Sequence, residues 1–591
     1  MLGPIFNREA LTVPRHVRHY RARVFYLGTL WVLALTAWQA AFGWGQLISQ
    51  ADLAYFGSQL FQLLSYSQLA LVLFFAALIA AGAVAQEKDR RTLVLLLVTD
   101  LKHREIVLGK LLGSLLQIGV LVTASIPVMC VLLMLGGVDW RQVVDAFFVN
   151  LGTALAAGAA GCLVALWRDK TFQTLAFTFL ILVLYFMLVE GLGLVGWLTP
   201  TLAPLASELR NLLNPFRALG KIVAPSMAEL SAISTLPFFL TNLGLAGALS
   251  LIGILKLRVW NPRGEPIQKA DVEDEDEAVT RAERRNIHAA PGPVRTVWSN
   301  PILFREIRTR AYGQRTLLLK GIYLVLVTLI AFSTLRSLPE PQRGDRLLPA
   351  VGFIPVLVIS MLLLNAQAVT AITSERDINA LELLLITDLT PAEFLFGKLG
   401  GIFWNAKEMI VPPLLLLAVY AWRGYLGWET LLYLCVTVLV LLAFTAMLGV
   451  HIALRNVSTR RAILLSIGTV FFLTVGTMLT IYLVLIGGSF ETQWTSFILF
   501  LAIGIGGLWL VLGGREPSVA ISVAAWACPL GMFYSITNVL VGNVRTGQAG
   551  DPLWPFIVIV GAFGFTIAAM LVPLLSEFQV ALPHAAAANT E

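Results

Sequence analysis

Stretches of about 20 uncharged, apolar residues recur along almost the whole of this chain, and each is long enough as a helix to cross a hydrocarbon layer about 30 Å thick. They fall near 25–48, 61–86, 106–136, 144–167, 171–199 and 232–257, and again near 318–336, 348–374, 394–420, 427–454 and 461–488. Further runs occupy 497–514, 518–541 and 554–576. Segments such as 69–85 are apolar on every face, unlike the alternating strands of a transmembrane barrel. The expected fold is therefore all-α, a polytopic transmembrane helical protein of two parallel six-span repeats. It has twelve core spans, or fourteen if 489–541 is an added helix pair rather than a re-entrant hairpin.

Charge sets the orientation. Of 591 residues 58% are hydrophobic and 13% charged, and the net charge is +7. In a soluble protein such an excess would point to nucleic acid. Here the basic residues sit between spans, so no nucleic-acid partner is expected and the surrounding partner is the lipid bilayer. Lys88, Arg90, Arg91, Lys102 and Arg104 lie in one loop and Arg168 and Lys170 in another, whereas 49–60 holds no Lys or Arg. Both termini and the middle linker are thus expected in the cytoplasm, with the chain in the cytoplasmic (inner) membrane. Arg8, Arg15, Arg18, Arg21 and Arg23 precede a first run too long for a signal peptide, so that run is read as a retained span.

Residues 258–300 break the apolar pattern. An acidic run from Asp271 to Glu277 is followed by Arg281, Arg284 and Arg285 and then Pro291-Gly292-Pro293. Such a segment buries too little apolar surface to offset ordering entropy. It divides the chain into a first unit (1–257), a charged linker (258–300) and a second unit (301–591).

The two units repeat one another. Gly3-Pro4-Ile5-Phe6-Asn7-Arg8-Glu9 aligns with Asn300-Pro301-Ile302-Leu303-Phe304-Arg305-Glu306. The stretch from Glu87 to Leu101 aligns with that from Glu375 to Leu389, and Glu105, Gly109, Lys110 and Gly113 with Glu393, Gly397, Lys398 and Gly401. Hydrophobic bias could align leucines but not Glu, Thr-Asp and Gly-Lys at fixed spacing. Both copies of this block lie between spans two and three, so the repeats run parallel rather than inverted.

Within the block, Leu93, Leu96, Leu97 and Asp100 follow i, i+3, i+4, i+7 spacing, as do Leu381, Leu384, Leu385 and Asp388. A short apolar helix with charged ends cannot span the bilayer, so it lies at the interface or inserts into a partner's groove. Thr390-Pro391-Ala392-Glu393 forms a capping box with Pro at the first helical position, and a new helix is expected there. The first copy has Lys102 in place of Thr390 and keeps Glu105.

With these features the chain resembles the ABC-2 permease family, the membrane subunits of one class of ATP-binding-cassette exporters. The pattern is a Glu-led cytoplasmic stretch, a Leu-rich short helix, a turn and then Gly-Lys entering span three. The resemblance implies that the block between spans two and three is the coupling helix that docks on separate ATP-binding subunits, two in number. Glu87, Leu93, Leu96, Leu97, Asp100, Glu375, Leu381, Leu384, Leu385 and Asp388 would then serve coupling. It also implies a helix before span one and short re-entrant helices before span six, for which 200–231 is the candidate and 489–541 an enlarged version. Val94 for Glu382 and Lys102-His103 for Thr390-Pro391 imply unequal coupling by the two copies.

Catalytic chemistry is not indicated. Gly109-Lys110, Gly220-Lys221 and Gly397-Lys398 lack the rest of a phosphate-cradling loop, so the chain is expected to carry no ATPase site and no cofactor. No paired-His motif or nucleophile elbow appears, and Cys130, Cys162, Cys435 and Cys528 are scattered. The competing readings are an ion-coupled secondary transporter and a non-transporting membrane assembly protein. Ion coupling needs ionisable groups in mid-membrane, and the candidates are Glu190 in span five, His451 near the cytoplasmic end of span ten and Lys407-Glu408 in span nine. Lys407 and Glu408 align with Gly119 and Val120, so the charges have no counterpart in the first unit. Neighbours on a helix point about 100° apart, so at least one is expected to face the half-half interface or a wet cavity.

Overall fold

The computed structural model describes residues 3–12, 17–42, 49–89, 92–168, 171–198, 201, 203–223, 235–261, 298–308, 316–337, 348–377, 381, 389–456, 459–487, 490–513, 518–546 and 552–576. Regular structure among them is helical. In the first half α1 (Gly3–Thr12) precedes α2 (Val17–Phe42), α3 (Gln50–Asp89) and the short α4 (Thr92–Val98). Next come α5 (His103–Ala124), α6 (Ile126–Leu135), α7 (Trp140–Trp167) and α8 (Thr171–Leu198). Two short helices, α9 (Ala203–Leu213) and α10 (Pro215–Val223), lead into α11 (Leu236–Trp260).

The second half also opens on a short helix but carries two long helices where the first has α9 and α10. It holds α12 (Pro301–Arg308), α13 (Thr316–Ser337), α14 (Leu348–Asp377), α15 (Pro391–Asn405), α16 (Lys407–Trp422) and α17 (Trp428–Arg455). The chain ends with α18 (Thr459–Gly487), α19 (Phe490–Gly513), α20 (Val519–Thr546) and α21 (Leu553–Ser576). Eleven described helices are long and apolar enough to cross a membrane, twelve if the pair α15–α16, bent by 60°, counts as one span. The chain is a multi-pass all-α membrane protein. Helix α13 and the apolar run Phe497–Gly513 within α19 stand outside that count. The charged linker lies mostly outside the described residues.

Small residues bring the helices together. Between lipid-soaked helices there is little hydrophobic drive, and packing relies on close backbone approach. In α7 a methyl on Gly161 would stand 2.3 Å from the Ala77 carbonyl oxygen of α3. In α17 a methyl on Gly449 would stand 2.7 Å from Cβ of Ala368 and 3.1 Å from the Asn365 carbonyl oxygen of α14. Gly161 and Gly449, like Ala77 and Asn365, occupy matching places in the sequence repeat. Around these contacts α3 packs on α7 and α8, and α7 on α11, while α14 packs on α17 and α18, and α17 on α21.

The halves meet along α3 and α8 of the first and α13, α14 and α18 of the second. Phe74 stacks on Phe471 with ring centres 3.7 Å apart, and the Tyr482 hydroxyl donates to Gln59 Oε1 at 3.1 Å. Beside them Leu78, Gly82, Gln86, Thr171, Thr459 and Ile463 line a cavity of only about 20 Å³, which holds little more than one water.

Within 489–541 the described residues form a pair of long helices, α19 and α20. At 24 residues α19 is about 36 Å long. Its last carbonyls, on Leu512 and Gly513, accept from Arg455 Nη1 at 2.9 and 3.0 Å. Arg455 closes α17 just before α18 begins, so α19 returns to the end of the bundle from which α18 departs. A shallow hairpin could not reach there. Helix α19 also packs on α2, which places an element of the second half against the first span of the first half.

Candidate functional site

The residues shared by the two repeats converge on one ionic cluster in each half. In the second, Lys398 on α15 donates to Glu306 Oε1 of α12 at 2.6 Å and pairs with Glu375 Oε1 of α14 at 2.7 Å. Arg305 adds contacts of 2.5 Å to Glu375 and 3.2 Å to Glu306. Among the described residues two cations meet two carboxylates, so their charges balance. That balance is what permits the Lys398 side chain to sit at 1% exposure, because a buried charge is tolerated only when paired.

Glycines let the helices approach. A methyl on Gly401 would lie 2.5 Å from Cβ of Glu306, and one on Gly397 2.9 Å from Cβ of Ile302. Asn300 then fixes the start of α12, its Oδ1 accepting from the Leu303 amide at 2.9 Å while its Nδ2 donates to the Glu393 carbonyl at 2.8 Å.

The first half repeats the plan in a more open form. Lys110 on α5 donates to Glu87 Oε1 at the end of α3 at 2.7 Å, and its side chain keeps 12% exposure. Arg8 pairs with Glu9 at 3.3 Å on α1, and Gly113 faces Glu9 as Gly401 faces Glu306. Glu87 Oε2 also accepts from the Thr92 hydroxyl at 2.6 Å, which anchors the first residue of α4. The neighbouring cation has its own matching task. Lys88 donates to the carbonyls of Leu166 and Arg168 at 2.6 and 2.9 Å, and Arg376 to those of Ala453 and Asn456 at 2.8 and 2.5 Å. Each thus satisfies the last carbonyls of the adjacent helix, α7 or α17, where positive charge is favoured.

These contacts change the reading of the block. Glu87 and Glu375 turn inward to lysines, so they position the block rather than present it. On α4, Leu93 and Leu97 are buried against the first half's own apolar cluster, which includes Ile5, Val84 and Ile106, and Leu96 is half-buried. The face expected to meet a partner is therefore the face α4 lays on its own half. Spacing reveals that an apolar stripe exists but not what covers it, and the nearest cover is intramolecular. Outward project Leu95 at 67% exposure and Val98 at 70%, with Asp100 beside them. In the second copy Leu381 is buried, and Leu384, Leu385 and Asp388 lie outside the described residues.

Both turns into span three are capped. Thr390 and Glu393 form the complete box, the Thr390 hydroxyl accepting from the Glu393 amide at 3.2 Å and the Thr390 amide donating to Glu393 Oε2 at 3.0 Å. In the first copy the Lys102 amide donates to Glu105 Oε2 at 3.1 Å. Lysine has no acceptor, so the other half of that box is missing.

The intramembrane candidates have partners. Glu408 pairs with Lys320 of α13 at 2.8 Å, and Lys407 Nζ lies 4.3 Å from the ring centre of Trp404. The chain breaks at Ala406 between α15 and α16, so both residues sit in the first turn after a bend. Glu190 takes Arg210 at 2.5 Å, Arg217 at 2.5 and 2.7 Å and Asn214 at 2.7 Å, tying α8 to α9 and α10. Sequence reasoning missed Lys320, Arg210 and Arg217. The available signal was an opposite charge on the neighbouring apolar element.

Residues 46–257 match the family model described as ABC-2 family transporter protein. No curated protein and no solved structure matches the chain.

Proposed function

We propose that this chain, whose residues 46–257 match the ABC-2 family transporter model, is the membrane permease of an ATP-binding-cassette exporter, with two permease units in one polypeptide and hydrolysis supplied by two separate ATP-binding subunits. The observation that carries the reading is the repeated ionic cluster. Glu87–Lys110 and Glu375–Lys398 sit at the same end of the bundle and each holds the turn between its half's second and third spans. Two equivalent anchored turns are what two force-delivering partners require. On α4 the contact would be made by Leu95 and Val98, with Asp100 at its edge.

The seam where Phe74 meets Phe471 is the place we assign to the translocation path, shut in this conformation. Pairing of Glu190 with two arginines and of Glu408 with Lys320 weighs against ion coupling, which needs carboxylates free to change charge. We further assign both termini and the linker to the cytoplasm of a cell whose inner membrane holds the chain. Cysteine labelling from outside intact cells tests this, with a probe at Asp52 expected to react and one at Asp274 to stay protected.

The functional test is co-purification. The chain expressed with candidate ATP-binding subunits should retain two copies of ATPase, and the isolated chain should show no saturable ATP hydrolysis. Hydrolysis by the contaminant-free chain would remove the reading.

A further inference from the structure

At the end of the bundle opposite α4, the first turns of α7 and α11 enclose a cavity of about 330 Å³ lined by Trp140, Arg141, Asp145, Phe148, Thr235 and Phe239. It opens outward, since Trp140 and Leu236 on its rim are both well exposed. The polar groups inside are incompletely used. Asp145 Oδ1 accepts from the Thr235 hydroxyl at 2.5 Å, while Oδ2 has no hydrogen-bond partner among the described residues. The Arg141 guanidinium makes no ion pair among them either, and lies 5.7 Å from the Trp140 ring centre. Thr235 precedes α11 as its cap residue, yet its hydroxyl makes no capping bond, being committed to Asp145.

From this arrangement we propose that the cavity binds the headgroup of a zwitterionic phospholipid, phosphate on Arg141 and ammonium on Asp145. The two charges are four residues apart on α7 and so share a face. That separation suits a ligand carrying both signs a short distance apart. An anionic headgroup without an amine satisfies Arg141 and is repelled by Asp145. Size agrees, since about 10–15 Å³ on this scale admits one water, and a cavity of about 330 Å³ has room for a phosphate, two carbons and an amine. Depth agrees as well. Both helices enter the apolar layer at this level, and Trp140 supplies the amphipathic ring that marks a membrane boundary. Phe148 and Phe239, one turn deeper, would meet the upper acyl chain.

The test uses the full chain with a photoreactive amino acid at Val144, which lines the cavity and is exposed. The protein is placed in vesicles of equal parts phosphatidylethanolamine and phosphatidylglycerol, and the cross-linked lipid is identified by mass spectrometry. Phosphatidylethanolamine should exceed phosphatidylglycerol about tenfold, equivalent to about 1.4 kcal/mol. Asp145→Asn should bring the ratio near one, and Arg141→Gln should lower total cross-linking of both lipids. The wild-type ratio needs no variant to fold, and unchanged thermal inactivation of the variants controls for disruption. Equal or greater capture of phosphatidylglycerol by the wild type, or a ratio unmoved by Asp145→Asn, would overturn the assignment.

Discussion

Replacing Lys398 by Met isolates the contribution of the buried cluster. The lysine is enclosed between Glu306 and Glu375 with Arg305 adjacent, so its loss leaves two carboxylates sharing one guanidinium in a poorly hydrated site. Removing one partner of a buried ion pair costs about 3–5 kcal/mol. Lys110→Met attacks the equivalent contact, but Lys110 and Glu87 are better hydrated, and a hydrogen bond to a charged group contributes about 1.5–3 kcal/mol. The difference should appear locally, as undocking of α12 from α15. Hydrogen exchange of 301–308 in lipid nanodiscs should accelerate about a hundredfold or more in Lys398→Met, since each tenfold corresponds to about 1.4 kcal/mol. Acceleration of the α1 amides in Lys110→Met should be smaller. Adding Glu306→Gln to Lys398→Met restores neutrality, leaving Arg305 against Glu375, and should recover part of the loss in a double-mutant cycle. Equal acceleration in both single variants, or a double variant no better protected than Lys398→Met, would refute the claim that charge balance seats α12.

Leu95→Asp combined with Val98→Asp should reduce recovery of ATPase in a pull-down while leaving membrane insertion intact. Leu93→Asp should instead loosen α4 itself, seen as protease sensitivity in the 90–102 region without any partner present. Gly161→Ala drives a methyl into the Ala77 carbonyl and should cost about 1–3 kcal/mol in thermal inactivation, whereas Gly244→Ala, which meets nothing within 4 Å, should be neutral. Lys320→Met strands Glu408, which lies near the middle of the bent span α15–α16, at a cost of up to about 2.5–3.5 kcal/mol. Expression should fall and then recover on adding Glu408→Gln, and normal expression of Lys320→Met would show that water reaches Glu408.

Much of the architecture was legible because its signals are local. Apolar runs gave the spans, and the spacing of Thr390 and Glu393 gave a complete capping box where span three begins. The repeat marked the right residues too, since Arg8, Glu9, Glu87 and Lys110 have counterparts in Arg305, Glu306, Glu375 and Lys398. What it could not disclose was that these charges meet one another, because Glu87 and Lys110 are separated by α4 and Lys398 lies far along the chain from Glu306. The outward side of α4 was misread for a related reason. Leu93 and Leu97 make a stripe at helical spacing, and a stripe is covered by whatever apolar surface is nearest. Glu190 and Glu408 looked like isolated charges in mid-membrane because their arginine and lysine partners arrive on other helices. The length of 489–541 left a hairpin and a helix pair equally open, and the choice was made by Arg455 reaching the Leu512 and Gly513 carbonyls.

The helix pair α19–α20, of which α19 rests on α2, frees this molecule from a rule that binds symmetric dimers. In a two-fold assembly of identical subunits every substitution appears twice, so an insertion that covers one flank must also cover the other. A single polypeptide holding both copies of the motif escapes that doubling. His451, 3.2 Å from the Leu512 carbonyl oxygen, and Arg455 hold the end of α19, while among the described residues Leu163 and Trp167, at the matching places in α7, hold no helix end. A change on one flank of this chain can therefore stand without its counterpart on the other.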